Sequence, residues 1–392
     1  MIPSVLPTYN RAPMAFVSGA GSWLTAEDGS KYLDLGAGIA VNALGHAHPA
    51  LVKVLTEQAG KLWHVSNLYR IPEQERLANL LVEQTFAQTV FFTNSGTEAC
   101  ELAIKMARKY WYHHGRPDRV EIITFEGAFH GRSTGAIAAA GSEKMVKGFG
   151  PLMPGFRSLP WGDHDALRSA ITDQTCAVLV EPVQGEGGIR VMPDACLKGL
   201  RDVCDETGTL MILDEVQCGM GRTGRLFAHE WSGVEPDIMM VAKGIGGGFP
   251  LGALLATEAA AAGMVAGSHG STYGGNPLGC AVGAAVVEMI SNDAFLAEVV
   301  RKGALFRQGL EGLVAMHPKV FEAVRGQGLI LGLKCRSLNT DVVKAGYAQH
   351  LLTVAAADNV IRLLPALNIP DADITEALAR LDRAASDVAN NA

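Results

Sequence analysis

Several residues able to do chemistry directly follow short apolar segments of this sequence. Lys243 is the clearest case, because it ends one such segment and precedes the glycine-rich run Gly244–Gly248. Glycine lets a backbone approach a ligand closely, and a lysine held partly away from water has the lowered pKa that favours Schiff-base formation. The alternative is a solvated surface charge, which is the usual role of a lysine at a strand end.

Asp214 occupies the same kind of position, directly after the apolar segment Leu210–Leu213. It could be a helix cap or a loop acid. A carboxylate that starts from the core side of a sheet needs a partner, because an unpaired buried charge is costly. The protonated ring nitrogen of an aromatic cofactor is such a partner, since the carboxylate keeps it protonated and the cationic ring can then accept carbanion electrons.

The triplet Ser95-Gly96-Thr97 opens a predicted helix after the segment Val90–Thr93. Free backbone amides and the helix dipole make such a helix start a binding site for phosphate. Ordinary helix capping uses the same residue types. The chain contains no GxxxxGK[ST] sequence, which excludes a P-loop.

Two further apolar segments are followed by candidate ligand-binding residues. Phe129 and Arg132 follow Glu121–Phe125, and the acid-rich loop Glu181–Gly188 follows Ala177–Val180. Phe129 could stack on a flat ring or belong to the core. Arg132 could hold a substrate carboxylate through two hydrogen bonds or pair with a surface acid.

The elements that must position these residues alternate between strands and helices. The predicted strands are apolar on both faces, as buried parallel strands require. Helical patterns between them include Glu98–Tyr110 and Asp194–Thr207, the second with an aspartate cap and a stop before Gly208. This alternation predicts an α/β fold with a parallel sheet covered on both faces, in which ligands bind at the carboxyl ends of the strands. The strands are predicted over Val90–Thr93, Glu121–Phe125, Ala177–Val180, Leu210–Leu213 and Ile238–Ala242.

The two ends of the chain have a different pattern. Trp23–Leu35 predicts a hairpin around the turn Glu27-Asp28-Gly29-Ser30. The hairpin has no sheet of its own, so we expect it to pack with the C-terminal part, which predicts a separate α+β unit. The C-terminal predictions are a helix over Pro277–Ile290, strands over Leu329–Lys334 and Val360–Leu364, and a final helix from Asp371.

Composition excludes several classes of protein. The 392 residues are 48% hydrophobic and 19% charged, a length that suits one large domain and a smaller one. The net charge of −7 gives no reason to expect a nucleic acid or a membrane as partner. Seven scattered cysteines without a CxxC pair predict reduced, mostly buried thiols and no metal cluster. We expect a cytoplasmic protein, because neither a signal sequence nor a long apolar segment is present.

Taken in order, six motifs resemble those of the class III aminotransferases that depend on pyridoxal 5'-phosphate, and within that class the acetylornithine branch. The resemblance runs nearly end to end, from GAGIAVNALGHAHP at 36–49 to IRLLPALNI at 361–369. Cys100 departs from the expected pattern, which has a small polar residue there, usually asparagine. The motifs are NSGTEA (94–99), FHGR (129–132), EPVQGEGG (181–188), LDEVQCGMGRTG (213–224), AKGIGGGFPLGA (242–253) and GSTYGGNPLGCA (270–281).

The resemblance implies fold type I of the pyridoxal-phosphate-dependent transferases. This is an α/β fold with a mostly parallel central sheet, helices on both faces and a smaller α+β domain. The large cofactor-binding domain would span residues 56–279, and the small domain would combine residues 1–55 and 280–392. The resemblance also implies a homodimer with active sites at the subunit interface.

The resemblance further assigns roles in binding pyridoxal 5'-phosphate. Lys243 would form the Schiff base and later move a proton as general base, and Asp214 would pair with the ring nitrogen. The phosphate would be held by Ser95, Gly96, Thr97 and, from the other subunit, Thr272. Phe129 would stack on the ring and Gln217 would lie beside its oxygen, with Glu215 and Val216 also at the cofactor.

Substrate contacts fall to Arg132, Ser271, Glu186 and Arg362. The implied reaction converts N2-acetyl-L-ornithine and 2-oxoglutarate to N-acetyl-L-glutamate 5-semialdehyde and L-glutamate, a step of arginine biosynthesis. Arg132 would take the distant carboxylate of either substrate, and Arg362 the α-carboxylate of glutamate. We hypothesise that Glu186 masks Arg362 while the ω-amino donor is bound; the alternative is that both are solvated loop charges.

Other functions remain open at this point. Succinylornithine, ornithine, 4-aminobutyrate or succinyldiaminopimelate could be the donor, and an aminomutase would need no separate 2-oxo acid. A nicotinamide-dependent oxidoreductase is suggested by the glycine run Gly244–Gly248. However, Phe249–Gly252 would break the helix that a dinucleotide-binding loop needs. A non-enzymatic protein of this fold would not need both Lys243 and Asp214.

Overall fold

The computed structural model describes residues 2–390. The strands are β1 Phe16–Ala20, β2 Trp23–Ala26, β3 Lys31–Asp34, β4 Thr89–Thr93, β5 Glu121–Phe125, β6 Phe156–Leu159, β7 Thr175–Val180, β8 Val183–Gln184, β9 Arg190–Val191, β10 Leu210–Asp214, β11 Ile238–Val241, β12 Gly252–Ala256, β13 Phe321–Gln327, β14 Ile330–Cys335, β15 Leu351–Leu352, β16 Val354–Ala356 and β17 Val360–Leu363.

The helices follow the same chain order. They are α1 Ala37–Ala40, α2 Pro49–Ala59, α3 Pro72–Gln84, α4 Gly96–His113, α5 Thr134–Ala140, α6 Glu143–Val146, α7 His164–Ala170, α8 Asp194–Thr207, α9 Glu258–Ala261, α10 Pro277–Ile290, α11 Asp293–Met316, α12 Asn339–Ala348 and α13 Asp371–Asn390. Two short 3-10 helices lie over Ala228–Trp231 and Lys243–Gly246.

The central sheet has seven strands in the order β4-β12-β11-β10-β7-β5-β6. Strands β6, β5, β7, β10 and β11 are parallel, and all residues of β7, β10 and β11 are buried. This confirms the predicted α/β class, since strands buried on both faces have no polar alternation.

The sequence did not predict β6 or β12. Strand β12 runs antiparallel between β4 and β11, pairing Leu254 with Phe91 on one side and Met240 on the other. Its sequence, GALLA, lacks β-branched and aromatic residues, so its strand state depends on the two neighbours that cover its edges. Because β12 reverses direction, β4 still points the same way as the parallel strands.

The helices on the sheet begin and end largely as predicted. Ser95 caps α4, accepting a hydrogen bond from the Glu98 amide at 3.4 Å. Helix α8 spans Asp194–Thr207 and ends at Gly208 with φ of 66°. The aspartate cap predicted for α8 is wrong, because Pro193 is the N-cap and Asp194 is the first helical residue.

The chain ends combine as expected. Strands β2 and β3 form the predicted hairpin, and β15 from the C-terminal part extends its sheet by pairing parallel to β3, Leu351 beside Leu33. A second antiparallel sheet has the order β13-β14-β17-β16. These pairings are compatible with a small domain built from both chain ends; the boundaries 1–55, 56–279 and 280–392 stay a prediction.

All seven cysteines are free thiols, and six of them are buried. Cys100 is fully buried within the apolar cluster between α4 and the sheet, where it affects packing.

Among residues 2–390, no single helix is long and apolar enough to cross a membrane. The pair α10 and α11, bent by 71°, meets that criterion together by length and composition.

Candidate active site

A cavity of about 420 Å³ lies at the carboxyl ends of the central strands. Strand β10 contributes Asp214 to its wall and β11 is followed by Lys243, while β5 and β7 are followed by Phe129 and Glu181. The start of α4 contributes a further part of the wall. Residues that follow the five predicted strands therefore line one cavity, as expected at the carboxyl edge of a parallel sheet. The remaining wall includes Val41, Asn94, Ser95, Gly96, Thr97, His130, Gly131, Arg132, Val216, Gln217 and Phe249–Leu251.

Lys243 is the first residue of a 3-10 turn and has a left-handed φ of 50°. Burial lowers the pKa of its amine, and the nearby carboxylates of Glu186 and Asp214 partly oppose that effect. Desolvation disfavours the charged ammonium. The amine is therefore more easily unprotonated than a solvated lysine, which suits it to nucleophilic attack and proton transfer.

Asp214 is held by two hydrogen bonds in a buried position. Its Oδ1 accepts from the Val216 amide at 3.0 Å, and its Oδ2 accepts from His130 Nδ1 at 2.8 Å. Among the described residues, the buried Nε2 of His130 has no hydrogen-bond partner. No role was predicted for His130 from the sequence, although its place between Phe129 and Gly131 in the FHGR motif was the available signal.

Glu181, the first residue of the acid-rich loop after β7, also belongs to the site, although no role of its own was predicted for it. It is buried in the cavity wall, and its Oε2 accepts a hydrogen bond from the Phe129 amide at 3.1 Å. Burial, reinforced by the nearby Asp214 carboxylate, raises the pKa of Glu181 well above its ordinary range. The environment of Glu181 therefore favours its protonated form.

The start of α4 forms one end of the cavity. The first amides of a helix have no intrahelical partner and can bind an anion. Gly96 packs tightly here, since an added Cβ would lie 2.9 Å from Val216 Cγ1. Thr97 Oγ1 accepts the amides of Arg132 at 3.1 Å and Ser133 at 3.0 Å, which ties the following loop to the helix.

Phe129 and Arg132 lie on that loop and face the same cavity. The Arg132 guanidinium lies 5.6 Å from the centre of the Phe129 ring, a cation–π distance. Arg132 is exposed, and its side chain forms no ion pair with any residue from 2 to 390. It is therefore free to bind a carboxylate.

Arg362 and Glu186 form an ion pair beside the cavity. Arg362 on β17 is 1% exposed, and its Nη1 lies 2.5 Å from Glu186 Oε1 and 3.1 Å from Gln217 Oε1. The alternative of two solvated loop charges is therefore wrong for Arg362. Gln217, which lines the cavity, connects the pair to the rest of the site.

Five predicted site residues do not line the cavity within this chain: Glu186 and Arg362, which lie beside it, and Glu215, Ser271 and Thr272. The buried Glu215 carboxylate accepts the amides of Ala228 and His229, each at 2.8 Å. It thus caps the 3-10 helix, pointing away from the site, because successive residues at a strand end alternate in direction. Ser271 Oγ lies 3.4 Å from Asn94 Nδ2, behind the cavity wall, and Thr272 is exposed at the surface.

The residues present fit pyridoxal phosphate. One cavity combines an anion-binding helix start, an aromatic ring, a buried carboxylate and an amine of lowered pKa. Its volume lies in the range of small-molecule sites. Ser95, Gly96 and Thr97 would hold the phosphate, Asp214 the ring nitrogen and Lys243 the carbonyl carbon. Within residues 2–390, no group of three or more His, Cys, Asp or Glu side chains could hold a metal ion.

Comparison with known proteins gives long, continuous matches. The profile of the family Aminotransferase class-III matches residues 6–385. The acetylornithine aminotransferase of Rhodobacter capsulatus is 71% identical over 98% of this chain and 98% of its own length. The acetylornithine aminotransferase of Mesorhizobium japonicum is 59% identical over 98% of this chain and 96% of its own.

Solved structures agree with this match. The N-acetylornithine aminotransferase of Stenotrophomonas maltophilia superposes with a TM-score of 0.86 at 38% identity, covering 98% of each chain. The ornithine aminotransferase of Toxoplasma gondii gives a TM-score of 0.95 at 30% identity, covering 99% of this chain and 94% of that chain. Backbone similarity alone therefore does not separate the two donors.

Proposed function

Since this chain belongs to the class-III aminotransferase family, we propose that it transfers the δ-amino group of N2-acetyl-L-ornithine to 2-oxoglutarate. The products are N-acetyl-L-glutamate 5-semialdehyde and L-glutamate. The observation that carries the choice of donor is the 71% identity with an acetylornithine aminotransferase over 98% of both chains. The reaction would serve arginine biosynthesis in the cytoplasm, a compartment in which seven free cysteines stay reduced.

The cofactor is pyridoxal phosphate, which when bound supplies a carbonyl for covalent attachment and a ring that accepts electrons. Asp214 would pair with the ring nitrogen of the cofactor, and His130 Nδ1 holds its side chain by the 2.8 Å hydrogen bond to Oδ2. The buried pair excludes water from this end of the site. A carboxylate in that position would favour the protonated form of the nitrogen.

Lys243 has the proton-transfer role. Its amine lies in the cavity wall with a lowered pKa, so it can accept a proton from the reacting carbon of the donor and return it later. The left-handed backbone at Lys243 fixes the direction from which the side chain enters the cavity. The raised pKa of Glu181 disfavours a second negative charge in this part of the site.

The Glu186–Arg362 pair accounts for the use of two unlike substrates. While acetylornithine reacts through its terminal amine, Glu186 neutralises Arg362 at 2.5 Å. When glutamate or 2-oxoglutarate binds, its α-carboxylate replaces Glu186 on the guanidinium. Arg132, exposed and without an ion-pair partner among the described residues, holds the distant carboxylate of either substrate.

We also propose a homodimer with the active site at the subunit interface. Support comes from an exposed apolar surface made of Trp63, Leu68, Tyr69 and Tyr273, here called the 63–273 surface. Asn67 joins its two segments by donating hydrogen bonds to the carbonyls of Ser271 and Gly274. Contiguous exposed aromatic residues are typical of protein interfaces. Thr272 in this segment would then reach the phosphate of the partner subunit.

A panel of amino donors tests the proposed donor. With 2-oxoglutarate as acceptor, kcat/KM is expected to be at least about 10-fold higher for acetylornithine than for ornithine or 4-aminobutyrate. Succinylornithine shares the acylated α-amine and measures selectivity for the acyl group. A clear preference for ornithine would contradict the proposal, and turnover without any 2-oxo acid would instead indicate an aminomutase.

A further inference from the structure

A second cavity, also of about 420 Å³, lies outside the active site. It is placed between the β8–β9 hairpin, strand β13 and helix α11. Three arginines line it, Arg190 on β9, Arg307 on α11 and Arg325 on β13, together with Trp161 on one wall. None of these residues has a role in the proposed reaction.

The charges in this cavity are unbalanced. Arg190 forms no ion pair or side-chain hydrogen bond with any described residue. Arg307 donates a hydrogen bond from Nη2 to the Gly326 carbonyl at 2.5 Å, and its Nη1 lies 3.7 Å from Glu311, an exposed acid one helical turn away. Arg325 pairs with Asp358 at 2.7 Å, but Lys334 shares the same carboxylate at 2.6 Å. Among the residues described, Asp358 is the one acid in the cavity wall.

Three arginines and one acid in a cavity wall leave an excess of positive charge, which favours a bound anion. The planar donors of arginine match the geometry of phosphate and carboxylate oxygens and can form paired hydrogen bonds to them. The three arginines are each only partly exposed, so an anion here would be better shielded from water than at a flat surface. The excess of donors and positive charge therefore points to an oxyanion as ligand.

We propose that Arg190, Arg307 and Arg325 form a binding site for a small oxyanion, the phosphate or carboxylate group of a metabolite. The site joins two parts of the fold. Arg190 lies on the hairpin whose tip, Gly185–Ile189, carries Glu186, whereas Arg325 lies on β13 and donates a hydrogen bond to the Gly188 carbonyl at 3.1 Å. A bound oxyanion would hold the hairpin tip against β13.

Binding of inorganic phosphate to the enzyme loaded with its cofactor tests the site. Equilibrium dialysis with radiolabelled phosphate at low ionic strength should show one saturable site per chain. Arg190→Ala and Arg307→Ala should each weaken that binding about 10-fold, because each removes a charge-assisted hydrogen bond. Arg168→Ala is the matched control, since Arg168 is exposed and paired with Glu206 away from this cavity.

Succinate distinguishes the two sources of the oxyanion. Displacement of phosphate by succinate assigns the site to both anion types, and binding of phosphate alone assigns it to phosphate esters. No saturable binding of either anion, or unchanged binding by Arg190→Ala and Arg307→Ala, would overturn the site. Phosphate held at the cofactor site of unloaded protein would be recognised by that insensitivity to the two substitutions.

Hydrogen exchange tests the connection to the hairpin tip. Phosphate should slow amide exchange within residues 185–189 of the wild-type protein and leave it unchanged in Arg190→Ala. Amide exchange does not depend on turnover. The experiment therefore tests the oxyanion site independently of the proposed amino donor. Saturable binding without slower exchange at 185–189 would refute the bridging role.

Discussion

At Lys243, burial lowers the pKa of the amine while Glu186 and Asp214 oppose that effect. Between the lowered pKa and the ordinary value of a lysine, the unfolded chain binds the proton and the folded chain does not. The contribution of Lys243 to stability in the cofactor-free protein therefore rises with pH across that window. The unprotonated amine is available at a lower pH than in a solvated lysine.

Reductive methylation of the cofactor-free protein measures this effect, because only unprotonated amines react. The pH midpoint for Lys243, followed by mass spectrometry, should lie below that of Lys53, whose side chain is 76% exposed. Lys53 in the same sample controls for reagent and temperature. Equal midpoints for the two lysines would contradict the lowered pKa.

Glu186→Ala tests the ion pair with Arg362. Removing the carboxylate leaves the buried guanidinium with Gln217 as its remaining side-chain partner, so an incoming α-carboxylate no longer competes with Glu186. We expect kcat/KM for glutamate to rise about 10-fold relative to that for acetylornithine, the scale of one charge-assisted hydrogen bond. Glu143→Ala, which removes an exposed acid elsewhere, is the control, and an unchanged ratio in Glu186→Ala would refute the switch.

At the scale of elements, the geometry of the site depends on how loops join the strands to the helices. The loop after β5 is tied to α4 through Thr97, and Gly131 allows the close approach with a φ of 130°. The position of strand β12 also shapes the cavity wall. Because the chain must reverse before β12, Phe249–Leu251 are brought into the cavity wall.

Gly131→Ala should disturb both stability and cofactor binding. A Cβ at this position would lie 2.4 Å from Thr97 Oγ1, and the left-handed backbone would be strained as well. We expect a loss of about 1–3 kcal/mol in the free energy of unfolding and weaker binding of pyridoxal phosphate. Urea unfolding and cofactor titration measure the two effects.

Gly162→Ala is the matched control for backbone strain. Gly162 has a φ of 81°, but nothing lies within 4 Å of the added Cβ. Gly162→Ala should lower the free energy of unfolding by about 1 kcal/mol without any change in cofactor affinity. If Gly131→Ala also leaves cofactor affinity unchanged, the tie between α4 and its neighbouring loop does not shape the phosphate end.

For the whole molecule, the proposal that the 63–273 surface is a dimer interface implies that the unit of function is two chains. Leu68, 85% exposed, lies on this surface. A charge at the centre of an apolar interface is strongly unfavourable because it must be desolvated without a partner. The assembly state therefore has a direct test by substitution.

Leu68→Asp is expected to shift the protein towards the monomer in analytical ultracentrifugation and to lower kcat at least about 10-fold, since Thr272 would no longer reach a second subunit. Leu338→Asp, at an exposed leucine beside α12, should change neither property. A fully active monomer of Leu68→Asp would contradict the shared site, and an unaltered dimer would place the interface elsewhere.

Elements and residues with local signals could be predicted from the sequence. Strands β7, β10 and β11 are buried on both faces, so continuous apolar segments identified them. Lys243 and Asp214 were found because each follows such a segment, and parallel strands place their carboxyl ends together. The order of the six motifs then indicated the aminotransferase family without any information about contacts.

Features that depend on contacts between distant parts of the chain became known from the folded structure. His130 reaches Asp214 across 84 positions and Arg362 reaches Glu186 across 176, and no local pattern encodes either contact. The strand state of β12 came from its two neighbours, and the Glu215 side chain turned away from the cavity to cap a 3-10 helix. Local patterns determine which residues are buried, whereas the partners of buried polar groups are set by packing of the whole chain.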